Sequence, residues 1–236
     1  HKVYHKEQKQ WAERMREGGQ AERMRLIAEA VAQRAKRTGG EYEKRCAAAL
    51  ALAAEGDHNA AAKAWRKIIK EWPEVPAAYH NLAVVLHRAG RRMEAAPMFL
   101  KAMELYKDGT KGWARVAASA FDLLKHLDCR DAPKPEWWND EELKALSART
   151  VAVAPDSHKT RAMRARVLSG DALTGEVPWH AGPRTAAEIK EAATWFRRSA
   201  SACYTPADER LMEESARRCD EYADPLLAKE EAEAAE

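Results

Sequence analysis

Apolar positions recur along most of this chain at the three- and four-residue spacing of helices packed on one side, and between residues 42 and 109 the pattern occurs twice. Gly56 aligns with Gly90, Ala61 with Ala95 and Trp65 with Phe99, so the two units are 34 residues apart without a gap. Each reads as an apolar helix, a glycine-containing turn and a second, amphipathic helix. A pair this short cannot bury its apolar face alone, so successive pairs must stack. Alternating β-branched runs are absent, and the pattern predicts essentially no sheet.

The same pattern, more worn, extends both ways. Over residues 5–38, Gly19 takes the turn position. Trp11, Ala12 and Met15 then fall on a first helix and Met24, Ala28 and Val31 on the packing stripe of a second, although Gly39-Gly40 breaks the register. A free basic amphipathic helix is the alternative. Lys111 to Leu127 restarts the first-helix pattern through Trp113, Val116, Ala117 and Ala120. A polar connector with Pro133 and Pro135 follows, which no helix can continue through. Asn139 is a good N-cap with Glu142 three residues on, and Trp137-Trp138 can staple that start, so 110–157 reads as a third unit with an inserted turn. Residues 158–205 read as a divergent fourth unit: Arg161–Leu168, a long loop over 169–183, then a helix capped by Thr185 with Glu188. A terminal helix from Pro206 to about Ala223 follows, with Leu211, Met212, Ala216 and Cys219 inward, then an acidic tail that is helical but frayed. Residues 1–40 remain as basic N-terminal helices, 41–109 as the two clear units.

Composition narrows the reading without naming a function. Hydrophobic residues make up 46% of 236, enough for a substantial core. The net charge of +3 demands no polyanionic partner. Ten basic against five acidic residues give about +5 over 1–40, and eleven against fifteen give about −4 over 161–236. Cys46, Cys129, Cys203 and Cys219 show no paired or zinc-type spacing and suit small buried side chains in a reducing, intracellular compartment. That compartment is the cytoplasm, or an organelle if a targeting segment preceded His1. No apolar stretch reaches the ~20 residues of a membrane span.

Tyr79, Leu82, Ala83, Leu86, Gly90, Ala95, Phe99 and Ala102 stand where the tetratricopeptide repeat (TPR) family puts its aromatic, Leu, small, bulky, Gly, Ala, aromatic and Ala residues, and the chain resembles that family. Ala49, Leu52, Gly56, Ala61, Trp65 and Pro73 serve in the first unit, which has Arg45 for the early aromatic and Ala48 for Leu. The resemblance implies an all-α, right-handed superhelical solenoid of about four to five helical hairpins plus a C-terminal capping helix. It implies a non-catalytic scaffold or adaptor, with no cofactor, whose inner groove takes a segment of another protein, and the long insertions at 128–138 and 169–183 suggest added surface for a subunit of a larger assembly.

In such stacks the first helix of each pair lines the inner surface. His80, Asn81, Val84, His87 and Arg88, then Lys111, Ala114, Arg115 and Ala118, are the candidate contacts. Asn81, Lys111 and Arg115 match three of the five donors of the two-carboxylate clamp by which some family members hold acidic C-termini of heat-shock chaperones. Cys46 and Leu50 stand at the other two. A chaperone co-factor with a partial clamp is therefore the second reading. A nucleic-acid binder using the N-terminal cations is the third, although Glu13, Glu17, Glu22 and Glu29 interleave them. His80 and His87 lie two turns apart, too far for good ligands of one metal. Asp122, His126 and Cys129 recur near helical spacing, but the helix is expected to end before Cys129 and nothing marks a further donor for a Cys/His site. The loop 169–183 lacks the Gly-Lys-Ser/Thr ending of a phosphate loop, and its Trp179 and His180 are expected to pin it or to meet a partner.

Overall fold

The computed structural model describes residues 20–170, 179, 181–203 and 205–234. They form ten α-helices and one short 3-10 turn, with no strand among them. The chain is an all-α helical repeat. Two compact units divide at Leu105 and Tyr106.

The first unit contains α1 (Gln20–Thr38), α2 (Glu41–Ala54), α3 (His58–Glu71), α4 (Pro76–Arg88) and α5 (Arg92–Leu105), each packed on its neighbour in sequence. The starts of α3 and α5, His58 and Arg92, are 34 residues apart, matching the period of the pattern. Asp57 caps α3 by accepting from Ala60 N–H, and Pro76 opens α4, where its missing N–H costs nothing. Gly56 and Gly90 turn each hairpin with φ of 90° and 77°, in open space where any Cβ would strain the backbone rather than collide. The core is largely alanine: Ala49, Ala53, Ala61, Ala62, Ala78, Ala83, Ala95 and Ala102 are at most 3% exposed. Such small side chains let helix axes approach closely. Trp65 and Phe99 supply the bulk, and fully burying a ring of this kind contributes on the order of 3–5 kcal/mol. Arg45 pairs with Glu41 and Glu71 across α2–α3, and Arg66 reaches Glu94 from α3 to α5.

On α1 the stripe is centred differently from expectation. Leu26, Ala28 and Ala35 are buried, while Met24 and Val31 flank it half-buried. Trp11, Ala12, Met15 and Gly19 lie outside the described residues.

The second unit contains α6 (Lys111–Leu124), α7 (Asp140–Val153), α8 (His158–Ser169), α9 (Ala186–Ala200) and α10 (Pro206–Ala234). Here α6 packs on both α7 and α8, α8 on α9, and α9 on α10. Asn139 caps α7 and Thr185 closes a full capping box with Glu188 at α9. The connector between α6 and α7 folds back rather than hanging free. Cys129 is fully buried in the 3-10 turn (Leu127–Cys129), and Lys134 Nζ donates to the carbonyls of Leu124 and Cys129. Trp137, Trp138, Phe121 and Trp179 make one ring cluster with centroids 5.6 to 6.0 Å apart. Trp179 is only 7% exposed and donates to Asp140, so it is an internal pin for its loop. His180 lies outside the described residues.

The terminal helix and the tail form one helix, running from Pro206 through Pro225 to Ala234. Glu230 returns to accept from Ala186 N–H, satisfying a donor at the start of α9. Met212, Ala216, Cys219 and Ala223 pack on α9, whereas Leu211, expected inward, is 55% exposed. The packed stripe follows three- and four-residue steps from Met212, and its neighbour Leu211 falls about 100° off it.

Candidate functional site

The second unit holds a groove built from α6, α8 and the start of α10. Its hollow, 160 Å³ in volume, is lined by Ala118, Phe121 and Asp122 of α6, by His158, Lys159, Ala162, Met163 and Arg166 of α8, and by Asp208, Leu211 and Met212 of α10. Ser199 and Cys203 close one side. The lining is apolar at the base and charged at the rim.

One hydrogen-bonded line connects that rim to the start of α6. Lys159 Nζ donates to Ser119 Oγ at 3.0 Å, and Ser119 Oγ donates to the Arg115 carbonyl at 2.9 Å. Also at the rim, Arg166 and Lys125 each stand 3.3 Å from an oxygen of the half-exposed Asp122 carboxylate. Burial alone raises the Asp122 carboxyl, but the Arg166, Lys125 and Lys159 cations outweigh it and hold it below the usual carboxylate range. Among the side chains lining the hollow, two cations, Lys159 and Arg166, stand with two carboxylates, Asp122 and Asp208.

Lys111 and Arg115 are different. Both are exposed on the same face of α6, one turn apart, and neither meets a carboxylate at ion-pair distance among the described residues. Most arginines here are paired, including Arg45, Arg66, Arg91, Arg149, Arg164, Arg184, Arg197 and Arg217. Their helix start is rigidly held. Thr110 caps it by accepting from Trp113 N–H, and the Tyr106 ring lies against Gly112, where an added Cβ would come within 2.5 Å of it. Arg149 stacks over Trp113, which is 5% exposed, while bonding Asp108.

Two α6 contacts expected from the inner-face rule are instead packing residues: Ala114 is 0% and Ala118 1% exposed, although Ala118 borders the hollow. In the first unit His80, Asn81, Val84, His87 and Arg88 are all half-buried on α4, and the His80 ring packs 5.7 Å from Phe99 of α5. Cys46 and Leu50, at the departed clamp positions, are each 7% exposed, so those positions serve the core. His126 is exposed and Cys129 sealed, and no group of three or more His, Cys, Asp or Glu side chains among the described residues could hold a metal. Lys159 and Arg166 escaped the sequence reading. The inner-face rule was applied on α4 and α6 and not carried to α8, where they lie.

No family model matches the chain, and no curated protein matches it. Among solved structures it is similar to YrrB, reported as a TPR protein with an unusual peptide-binding site, at 16% identity over 86% of this chain and 91% of that one, with a TM-score of 0.48. It is also similar to MamA, at 16% identity over 80% and 97% respectively, with a TM-score of 0.43. No helix among the described residues is long and apolar enough to cross a membrane.

Proposed function

We propose that this chain is a non-catalytic scaffold that binds a segment of another protein along the α6–α8–α10 groove, with Lys111 and Arg115 as its anionic contacts. One observation carries the reading: two exposed cations with no carboxylate at ion-pair distance among the described residues stand on a capped helix that leads to a hollow with an apolar floor. A charge-assisted bond to each would contribute roughly 1.5–3 kcal/mol, and the hollow supplies the desolvated anchor that interfaces concentrate their energy in. In the first unit the same reading assigns contacts to His80, Asn81, His87 and Arg88. A chaperone-type clamp is not favoured, since Cys46 and Leu50 give packing where donors are needed.

The test is affinity capture with identification by mass spectrometry, comparing wild type with Lys111→Glu plus Arg115→Glu. Proteins retained by wild type in moderate salt are expected to be lost from the double variant. Retention of the same proteins by both would sink the reading.

A further inference from the structure

We infer that the groove selects a segment carrying an aliphatic residue and an aspartate or glutamate three or four positions apart, the aliphatic side chain filling the hollow and the carboxylate meeting Lys111 and Arg115. This rests on the scaffold reading and adds what the scaffold takes. Size supports the anchor: a cavity of about 150 Å³ lined by Leu, Ile and Phe accepts benzene, and the 160 Å³ here, floored by Phe121, Ala162 and Met163, suits a leucine or isoleucine. Charge supports the separation of roles. Lys159 and Arg166 at the hollow are matched in number by Asp122 and Asp208, which repel an incoming acid, while Lys111 and Arg115 meet no carboxylate at ion-pair distance among the described residues.

Distance sets the spacing. The hollow borders α6 at Ala118 to Asp122, centred about five residues beyond Arg115 and nine beyond Lys111, or roughly 8–14 Å along the helix at 1.5 Å per residue. An extended chain advances about 3.3 Å per residue, so three or four residues cover that distance. A phosphate backbone fits less well, since it offers the cations a partner but the hollow no aliphatic group.

The experiment measures binding of fluorescent twelve-residue peptides to the full chain. The peptides carry one Asp and one Leu three positions apart, in either order, with Leu→Ala, Asp→Asn and spacing-seven versions and a single-stranded RNA as competitor. Leu→Ala, or Cys203→Trp in the protein to fill the hollow from its rim, is expected to weaken binding about tenfold or more. Asp→Asn is expected to cost about fivefold or more, with that difference vanishing in Lys111→Gln plus Arg115→Gln. Indifference to spacing, wild-type binding by Cys203→Trp and Leu211→Asp, or displacement by RNA overturns the inference. If these peptides fail while a captured protein still depends on Lys111 and Arg115, the selectivity is wrong and the scaffold reading stands. If the charge reversal leaves that protein bound, both fall.

Discussion

Arg184 and Asp140 form an ion pair largely closed to water, with 3% and 19% of their side chains exposed, joining the residue before the Thr185 cap of α9 to the first residue of α7. Arg184 also donates to the carbonyls of Val167 and Gly182, so its guanidinium gathers three segments of the second unit. Removing one partner of such a pair strands the other. Asp140→Ala is expected to lower the unfolding free energy by about 3–5 kcal/mol, far more than the ~1 kcal/mol ceiling of a surface pair such as Lys101–Glu104. Urea titrations of Asp140→Ala and Glu104→Ala check this, and equal effects would contradict it.

The same pair gives an acid dependence of known sign. Burial raises the Asp140 carboxyl, but the Arg184 hydrogen bond and charge, the Gly182 backbone contact and Lys144 together hold it below its usual range. A carboxyl lowered on folding contributes fully above its unfolded value near 3.8 and loses that contribution as pH falls through the folded value. The stability gap between wild type and Asp140→Asn should stay constant from neutral pH to about pH 5 and shrink below about pH 4. Denaturant midpoints at a series of pH values read it directly.

Glycines in this chain resist substitution for two separable reasons. Gly90→Ala places a Cβ in open space at φ 77° and should cost roughly 1–2 kcal/mol of backbone strain. Gly112→Ala has an ordinary backbone but meets the Tyr106 ring. Tyr106→Ala in the same chain is expected to relieve the second loss and leave the first untouched, which double-mutant thermal unfolding measures.

Trp65 is fully buried, and its indole N–H finds no acceptor among the described residues, while its repeat partner position holds Phe99. Trp65→Phe removes that unsatisfied donor as it removes volume, so the two effects oppose. A net change within about 1.5 kcal/mol is expected, against a loss of roughly 3–5 kcal/mol for Trp65→Ala.

The cysteines should differ sharply toward thiol reagents. Burial, then Asp220, pushes the Cys219 thiol up to about 12, and Cys46 and Cys129 are also buried, whereas Cys203 is half-exposed at the hollow's edge. Near pH 8 a disulfide reagent should modify Cys203 first, the other three only on unfolding. Reaction of Cys219 in the native state would contradict the packing.

What was legible in the sequence was local. Trp65 and Phe99 declared their stripes through their period, and Asn139 and Thr185 declared helix starts because a cap needs only its own next three residues. That Trp179 pins its loop was legible, but its partners were not, since Phe121 and Trp138 come from segments about 60 and 40 residues away whose meeting no local pattern records. The hollow was missed for the same reason: Ala118, Met163 and Met212 each look like ordinary packing within their own helices. Lys111 and Arg115 were singled out by the inner-face rule and the clamp resemblance, whereas the lack of a carboxylate within ion-pair distance among the described residues depends on other helices and is written in no single one.

The long α10 lays Met212, Ala216, Cys219 and Ala223 over Ile189, Ala193 and Phe196 of α9 and turns Glu214, Arg217 and Glu221 to the solvent. It thus converts an oily flank into a wettable one. A chain severed near Thr205 would keep its earlier hairpins but gain a greasy seam, and its first failure in solution should be clumping rather than unravelling.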